Sequence, residues 1–143
     1  MKISSPGFMH NQMLPKKFTC QGKGVSPCLM IEDIPEKTKS LVLIVDDPDA
    51  PGKTFVHWVV YNIPPVEKIE EGEIPGIQGK NSIREENFVP ACPPFGVHRY
   101  FFKIYALSEK LSFPSPPTKT EVEIAMKKSL LASAEMVGLY EKI

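Results

Sequence analysis

Three short stretches of the sequence gather residue types that can hold or move a proton. The first is Asp46-Asp47-Pro48-Asp49-Ala50-Pro51, where each proline biases the residue before it toward extended geometry and so stiffens an acidic turn. The second is His57-Trp58, inside the strand-like run Phe55–Asn62. Strict alternation there would put His57 on a face with Phe55, Val59 and Tyr61, and Trp58 on the other. The third is Pro90-Ala-Cys-Pro-Pro-Phe-Gly96, which runs into Val97-His-Arg-Tyr100. It is a proline-stiffened loop entering a strand, with His98 and Tyr100 on one side and Arg99 on the opposite one.

Imidazole titrates near neutrality, and a neighbouring carboxylate such as Asp47 can orient or charge it. Imidazolium and phenol donors could then hold an anion, which carboxylates alone would repel. Binding of this kind should strengthen as pH falls through the histidine range. Two other chemistries draw on the same residues. Asp47, His57 and His98 make a two-His-one-carboxylate set of the type that ligates non-haem iron. Cys92 with His57 or His98 as base would make a thiol nucleophile, although the two prolines that follow offer no amide donors for an oxyanion. Each stretch also has a plain structural reading. These are an acidic turn capping its own amides, a packed core histidine, and a polar strand end whose Arg99 pairs with a surface carboxylate.

The elements that must position these residues are mostly strands. Ser40-Leu-Val-Leu-Ile-Val45 reads as a strand buried on both faces, Phe55–Asn62 and Tyr100–Leu107 as two more. Weaker strands are expected near Lys17–Cys20, Cys28–Glu32 and Val66–Ile69. Only the C-terminal part reads as helix. Thr118 with Glu121, or Thr120 with Glu123, can form a capping box, and Val122, Met126, Ser129 and Leu130 then share a face. From Leu130 the apolar period changes to two, which fits a closing strand at least as well as more helix.

Composition limits the partners. The 143 residues suit one domain, and 42% hydrophobic with 24% charged residues is ordinary for a globular fold. Seventeen basic against seventeen acidic residues argues against nucleic acid as a partner. Fifteen prolines keep helices few and short. The first residues lack the apolar region of a signal peptide, and no apolar run is long enough to span a membrane. Three cysteines, Cys20, Cys28 and Cys92, lack metal-ligand spacing. A reduced, cytoplasmic protein is the economical expectation, with one pairing among the three left open.

Taken together, Asp47-Pro-Asp-Ala-Pro51, His57-Trp-Val-Val-Tyr-Asn-Ile-Pro64, Cys92-Pro-Pro94 and Gly96-Val-His-Arg-Tyr100 resemble the signature blocks of the phosphatidylethanolamine-binding protein family. The likeness is greatest to its short bacterial and archaeal branch and runs from about Ser4 to Tyr140. Phe18-Thr-Cys-Gln-Gly22 and Ala134-Glu-Met-Val-Gly-Leu-Tyr140 add to it. The resemblance implies one mainly β domain over residues 1–143: a Greek-key antiparallel sheet, a smaller second sheet and a C-terminal helix. It implies a non-enzymatic pocket for a small anion, a phosphorylated head group or a phosphopeptide, with no cofactor and no metal. Carried over, Asp47 and Asp49 match the pocket acids, His57 the first pocket histidine, Pro93 and Pro94 the proline wall, and His98 and Tyr100 the later donors. Kinase-inhibitor and protease-inhibitor relatives imply a kinase or protease as protein partner. The early C-terminal end implies an open pocket or one covered by a second copy in a homodimer. One wall departs from the family pattern: Val89 and Pro90 stand where relatives carry a glycine-rich run, and Pro90 has no amide hydrogen to offer.

Overall fold

Runs of β-branched and aromatic residues account for the long strands, and the prolines and glycines mark where they stop. The computed structural model describes residues 1–142. Nine strands and one helix follow in order: β1 (Lys2–Ser4), β2 (Gln12–Met13), β3 (Leu29–Glu32), β4 (Ser40–Asp47), β5 (Phe55–Ile63), β6 (Lys68–Ile69), β7 (Ile77–Gln78), β8 (His98–Leu107), α1 (Lys119–Met126) and β9 (Leu130–Tyr140).

They build two sheets. The larger has the order β2-β9-β8-β4-β5-β7, the smaller β1-β3-β6. All pairings are antiparallel except β2 with β9, where Gln12 and Met13 join Gly138 and Leu139 in parallel. The expected antiparallel sheet thus carries one parallel edge. Gly138 permits it: a Cβ at that position would stand 2.5 Å from Leu14 Cδ2.

β4 is buried along its whole length, as its unbroken apolar run requires. Its two faces serve two cores. Leu41, Leu43 and Val45 meet Leu29, Ile31 and Ile69 of the small sheet, together with Trp58, Phe18 and Phe102. Val42 and Ile44 meet Val59, Val122 and Met126, so α1 covers the far face of the large sheet. Each large side chain removed from water in this way contributes roughly 1.5–3 kcal/mol. Trp58, 1% exposed, also satisfies its indole N–H by donating to Gln78 Oε1 at 2.7 Å.

The helix is set by the first of the two candidate capping boxes. Thr118 Oγ1 accepts from Glu121 N–H at 3.3 Å, and Glu121 Oε1 accepts from Thr118 N–H at 3.0 Å. The helix ends at Met126, one 3₁₀ turn follows, and β9 then takes the two-residue period to Tyr140. Leu130 leaves the helical face and is 43% exposed, whereas Val122, Met126 and Ser129 are buried as expected. The expected strand at Lys17–Cys20 is instead a 3₁₀ turn over Lys16–Phe18, with Thr19 making a single bridge to Ala91. Pro15 precedes that turn, and Phe18 N–H donates back to its carbonyl at 3.1 Å, closing the tight turn.

Candidate functional site

The ends of β4, β5 and β8 meet where the acidic turn and the proline loop leave the large sheet. At Val45–Asp46 the β4–β5 register slips: Val45 pairs with Trp58 but Asp46 pairs with Val56. His57 is the extra residue of a β-bulge, and a bulge re-aims side chains. The alternation expected for this strand therefore fails at His57. His57 turns to the side of Val45, Tyr100 and Phe102, away from Val59 and Tyr61, which pack beneath α1. Its ring stands 5.3 Å from the Tyr100 ring, edge-on, and 4.7 Å from Phe55.

A cavity of about 250 Å³ opens there, room for several waters at about 30 Å³ each. Asp47, His57, His98 and Tyr100 supply its polar groups, and Pro93 and Pro94 form wall with Cys92, Val89, Pro90, Phe55, Ala50 and Pro51. Six of the seven residues expected to form a pocket therefore meet at one cavity. The seventh, Asp49, is not among the lining residues. Its carboxylate accepts from Arg99 Nε, Nη2 and backbone N–H, all at 2.9 Å, which clamps the acidic turn to the start of β8. The Arg99 guanidinium holds the Asp49 carboxyl below the usual carboxylate range.

The two histidines are held by different partners. His98 Nδ1 lies 2.7 Å from Asp47 Oδ2, and the two side chains are 7% and 4% exposed. His57 Nδ1 lies 2.7 Å from the Val89 carbonyl, and Val89 N–H donates back to the His57 carbonyl at 3.0 Å. A carbonyl or carboxylate oxygen accepts only, so Nδ1 carries the proton in both rings and Nε2 is the free nitrogen. Among the described residues the one buried side-chain polar atom without a partner is Thr38 Oγ1. The two Nε2 atoms and Tyr100 Oη have no hydrogen-bond partner among the described residues and are not among the buried unpaired atoms, so they remain available in residues that line the cavity. Burial lowers the pKa of His57 and raises that of Tyr100, so at neutral pH one ring is uncharged and the phenol is a donor.

The acidic run is divided rather than pooled. Asp46 points to the other face, where Lys119 and Lys103 reach Oδ2 at 2.7 and 3.1 Å. Each of the three carboxylates has a cationic or imidazole partner, so none faces the cavity uncompensated.

Cys92 is not a thiol. It is joined to Cys20, which corrects the expectation of reduced cysteines and removes the sulfur nucleophile from the cavity. Cys28 is the free one. Among the described residues no group of three His, Cys, Asp or Glu side chains is arranged to hold a metal ion. Sequence reasoning did not find Cys20 as the partner of Cys92 or the Val89 carbonyl as the anchor of His57. Three cysteines allow three pairings, and a backbone oxygen leaves no mark on residue type.

The family model for phosphatidylethanolamine-binding protein matches residues 4–141. The chain belongs to the phosphatidylethanolamine-binding protein family. A UPF0098 protein of Chlamydia trachomatis is 43% identical, with 99% of each chain covered, and one of Pyrococcus abyssi is 45% identical over 99% of this chain and 85% of its own length. Solved crystal structures share the fold, among them the following two. A phosphatidylethanolamine-binding protein homolog, CT736 of Chlamydia trachomatis, superposes with a TM-score of 0.96 at 42% identity, covering 99% of this chain and 97% of that one. Escherichia coli YbcL, described as a member of the mammalian family, gives 0.89 at 31% identity, with 99% and 98% covered. In this phosphatidylethanolamine-binding protein family member, the four motif blocks all contribute residues to the cavity or to the clamp at its rim. No helix among the described residues is long and apolar enough to cross a membrane.

Proposed function

We propose that this cavity binds a small anion, inorganic phosphate or a phosphate monoester of head-group size, and that the protein acts by binding rather than by catalysis. One observation carries the reading: His57, His98 and Tyr100 line one cavity while both histidine Nδ1 atoms are tied back into the protein. Tyr100 donates as it stands. His57, uncharged at neutral pH, presents a lone pair there, so the anion arrives with a proton, either on its own oxygen or taken up by a ring. A phosphate monoester loses its second proton near pH 6, close to the imidazole range, and suits such a site. Asp47 lies ready as counter-ion for His98. The apolar wall of Phe55, Val89 and the prolines leaves space for a short organic substituent. No Ser, Thr or Lys lines the cavity and its one sulfur is in a disulfide, which favours a binding role over covalent catalysis. A bound phosphoryl group at the rim would also let the pocket dock a phosphorylated segment of a kinase or protease partner.

Calorimetric titration with inorganic phosphate and with phosphoethanolamine tests the reading. Affinity should rise between about pH 8 and about pH 6, with net proton uptake seen as a dependence on buffer ionisation enthalpy. Absence of binding, or binding with no tightening over that interval, would overturn it.

A further inference from the structure

Part of the cavity wall is fastened by few hydrogen bonds. Cys92, Pro93 and Pro94 line the cavity, and residues 92–97 lead on to His98. Upstream, Cys20 N–H donates to the Ala91 carbonyl at 3.0 Å, the last backbone hydrogen bond before β8. From Cys92 to Val97 no hydrogen bond ties the segment to any described residue, because two of its residues are prolines without N–H and the others turn outward. Pro93 is buried, but Phe95 is 76% exposed and Gly96 takes a φ of +72°. The Cys20–Cys92 disulfide is therefore the main fastening of this strap. Both of its half-cystines belong to exposed residues, the kind of disulfide that exchanges most readily.

We propose that the Cys20–Cys92 disulfide is a redox gate on the cavity: oxidised, it holds Pro93 and Pro94 in place; reduced, it frees the strap and weakens ligand binding. This rests on the anion-binding reading above for its ligand, but not for the movement of the strap. The reductant is a dithiol. One of its thiolates attacks a sulfur of the Cys20–Cys92 bond and forms a mixed disulfide, and its second thiol displaces the protein sulfur. Two electrons pass to the protein, the dithiol closes to its own disulfide, and its two protons end on Cys20 and Cys92. The bond is thus exchanged with no other co-reactant.

The experiment uses the full chain with Cys28→Ser, so that no third thiol can exchange, before and after treatment with dithiothreitol. A Cys20→Ser/Cys92→Ser variant gives the open state without reductant, and circular dichroism verifies that each form is folded. Backbone ¹⁵N relaxation at Phe95, Gly96 and Val97, measured without ligand, should report a lower order parameter in the reduced form and in the double variant. Inorganic phosphate should bind more weakly in both, by about tenfold for each residue that binding must re-order. Unchanged order parameters would overturn the gate whether or not phosphate binds. So would a looser strap with equal phosphate affinity in the two states. A looser strap with no phosphate binding in either state would support redox control of the wall and refute the anion reading instead.

Discussion

Asp47→Asn separates two tasks of one carboxylate. Asp47 Oδ1 accepts from Asp49 N–H at 2.8 Å, which shapes the acidic turn, and Oδ2 accepts from His98 Nδ1 at 2.7 Å, which orients the ring. Asparagine keeps an oxygen for the Asp49 amide but places an NH₂ against His98. That group only donates, so Nδ1 must become the acceptor and the ring proton must move to Nε2, on the cavity side. The exchange replaces a charge-assisted hydrogen bond of about 1.5–3 kcal/mol with a neutral one of about 0.5–1.5 kcal/mol, a net loss of about 1 kcal/mol. Asp47→Ala instead strands the His98 donor in a site where the side chains are almost inaccessible and unties the half-buried Asp49 amide, and should cost about 3 kcal/mol or more.

Urea unfolding followed by the emission of Trp58, the one tryptophan, measures both costs. Imidazole ¹⁵N shifts identify which nitrogen of His98 carries the proton. The expected result is Nδ1–H in the native protein and Nε2–H in Asp47→Asn. With a donor already facing the cavity, the variant should also bind phosphate with a flatter pH dependence. If Nδ1 stays protonated in the variant, or if asparagine and alanine destabilise equally, the assignment of Asp47 as the group that sets the tautomer is wrong.

Three further outcomes follow from the same geometry. Replacing Cys20 and Cys92 by serine opens a loop whose ends are 72 residues apart, and the chain-entropy relation gives a loss of about 4 kcal/mol, readable as a lower urea midpoint. Thr118→Ala removes the side-chain half of the capping box on α1 and should cost about 1 kcal/mol in the same assay, with the β sheets unaffected by circular dichroism. Burial holds the pKa of His57 below the ordinary imidazole value, so the unfolded chain binds more protons than the folded one once pH falls below about 6.5. Stability should therefore decline on acidification through that range and level off below the folded value. The decline should be shallower in His57→Asn, and equal slopes would argue against a buried neutral ring.

The apolar runs of β4, β5 and β8 made the centre of the fold legible, because long β-branched segments leave little alternative to a buried strand. The two-residue strands β2 and β7 were not, since Gln12–Met13 and Ile77–Gln78 carry no periodicity to read. The site residues were legible as types and motif blocks, but two relations among them were not. Asp49 looks equivalent to Asp47 in sequence, and only the position of Arg99 across the sheet end decides that it clamps the rim. His57 looks like a regular strand residue. Its direction depends on which β4 residue it opposes, a long-range register that local alternation cannot encode.

That register slip also explains how a buried sheet end can hold two histidines near three aspartates without becoming an acid pocket. Along β4 the alternation sends Asp46 and Asp47 to opposite faces, and lysines from β8 and α1 neutralise the first while His98 partners the second. The bulge then adds His57 to the Asp47 side, where a carbonyl, and not a carboxylate, receives its Nδ1. A regular strand would place His57 beneath α1 with Val59 and leave the cavity with one imidazole beside one carboxylate, a pair whose charge can rise no higher than zero while the carboxylate stays ionised. The extra residue in β5 supplies the second ring, so once both rings carry a proton the cavity holds two imidazolium groups against one carboxylate. The bulge, more than the composition of the acidic run, decides the sign of the charge this site can hold.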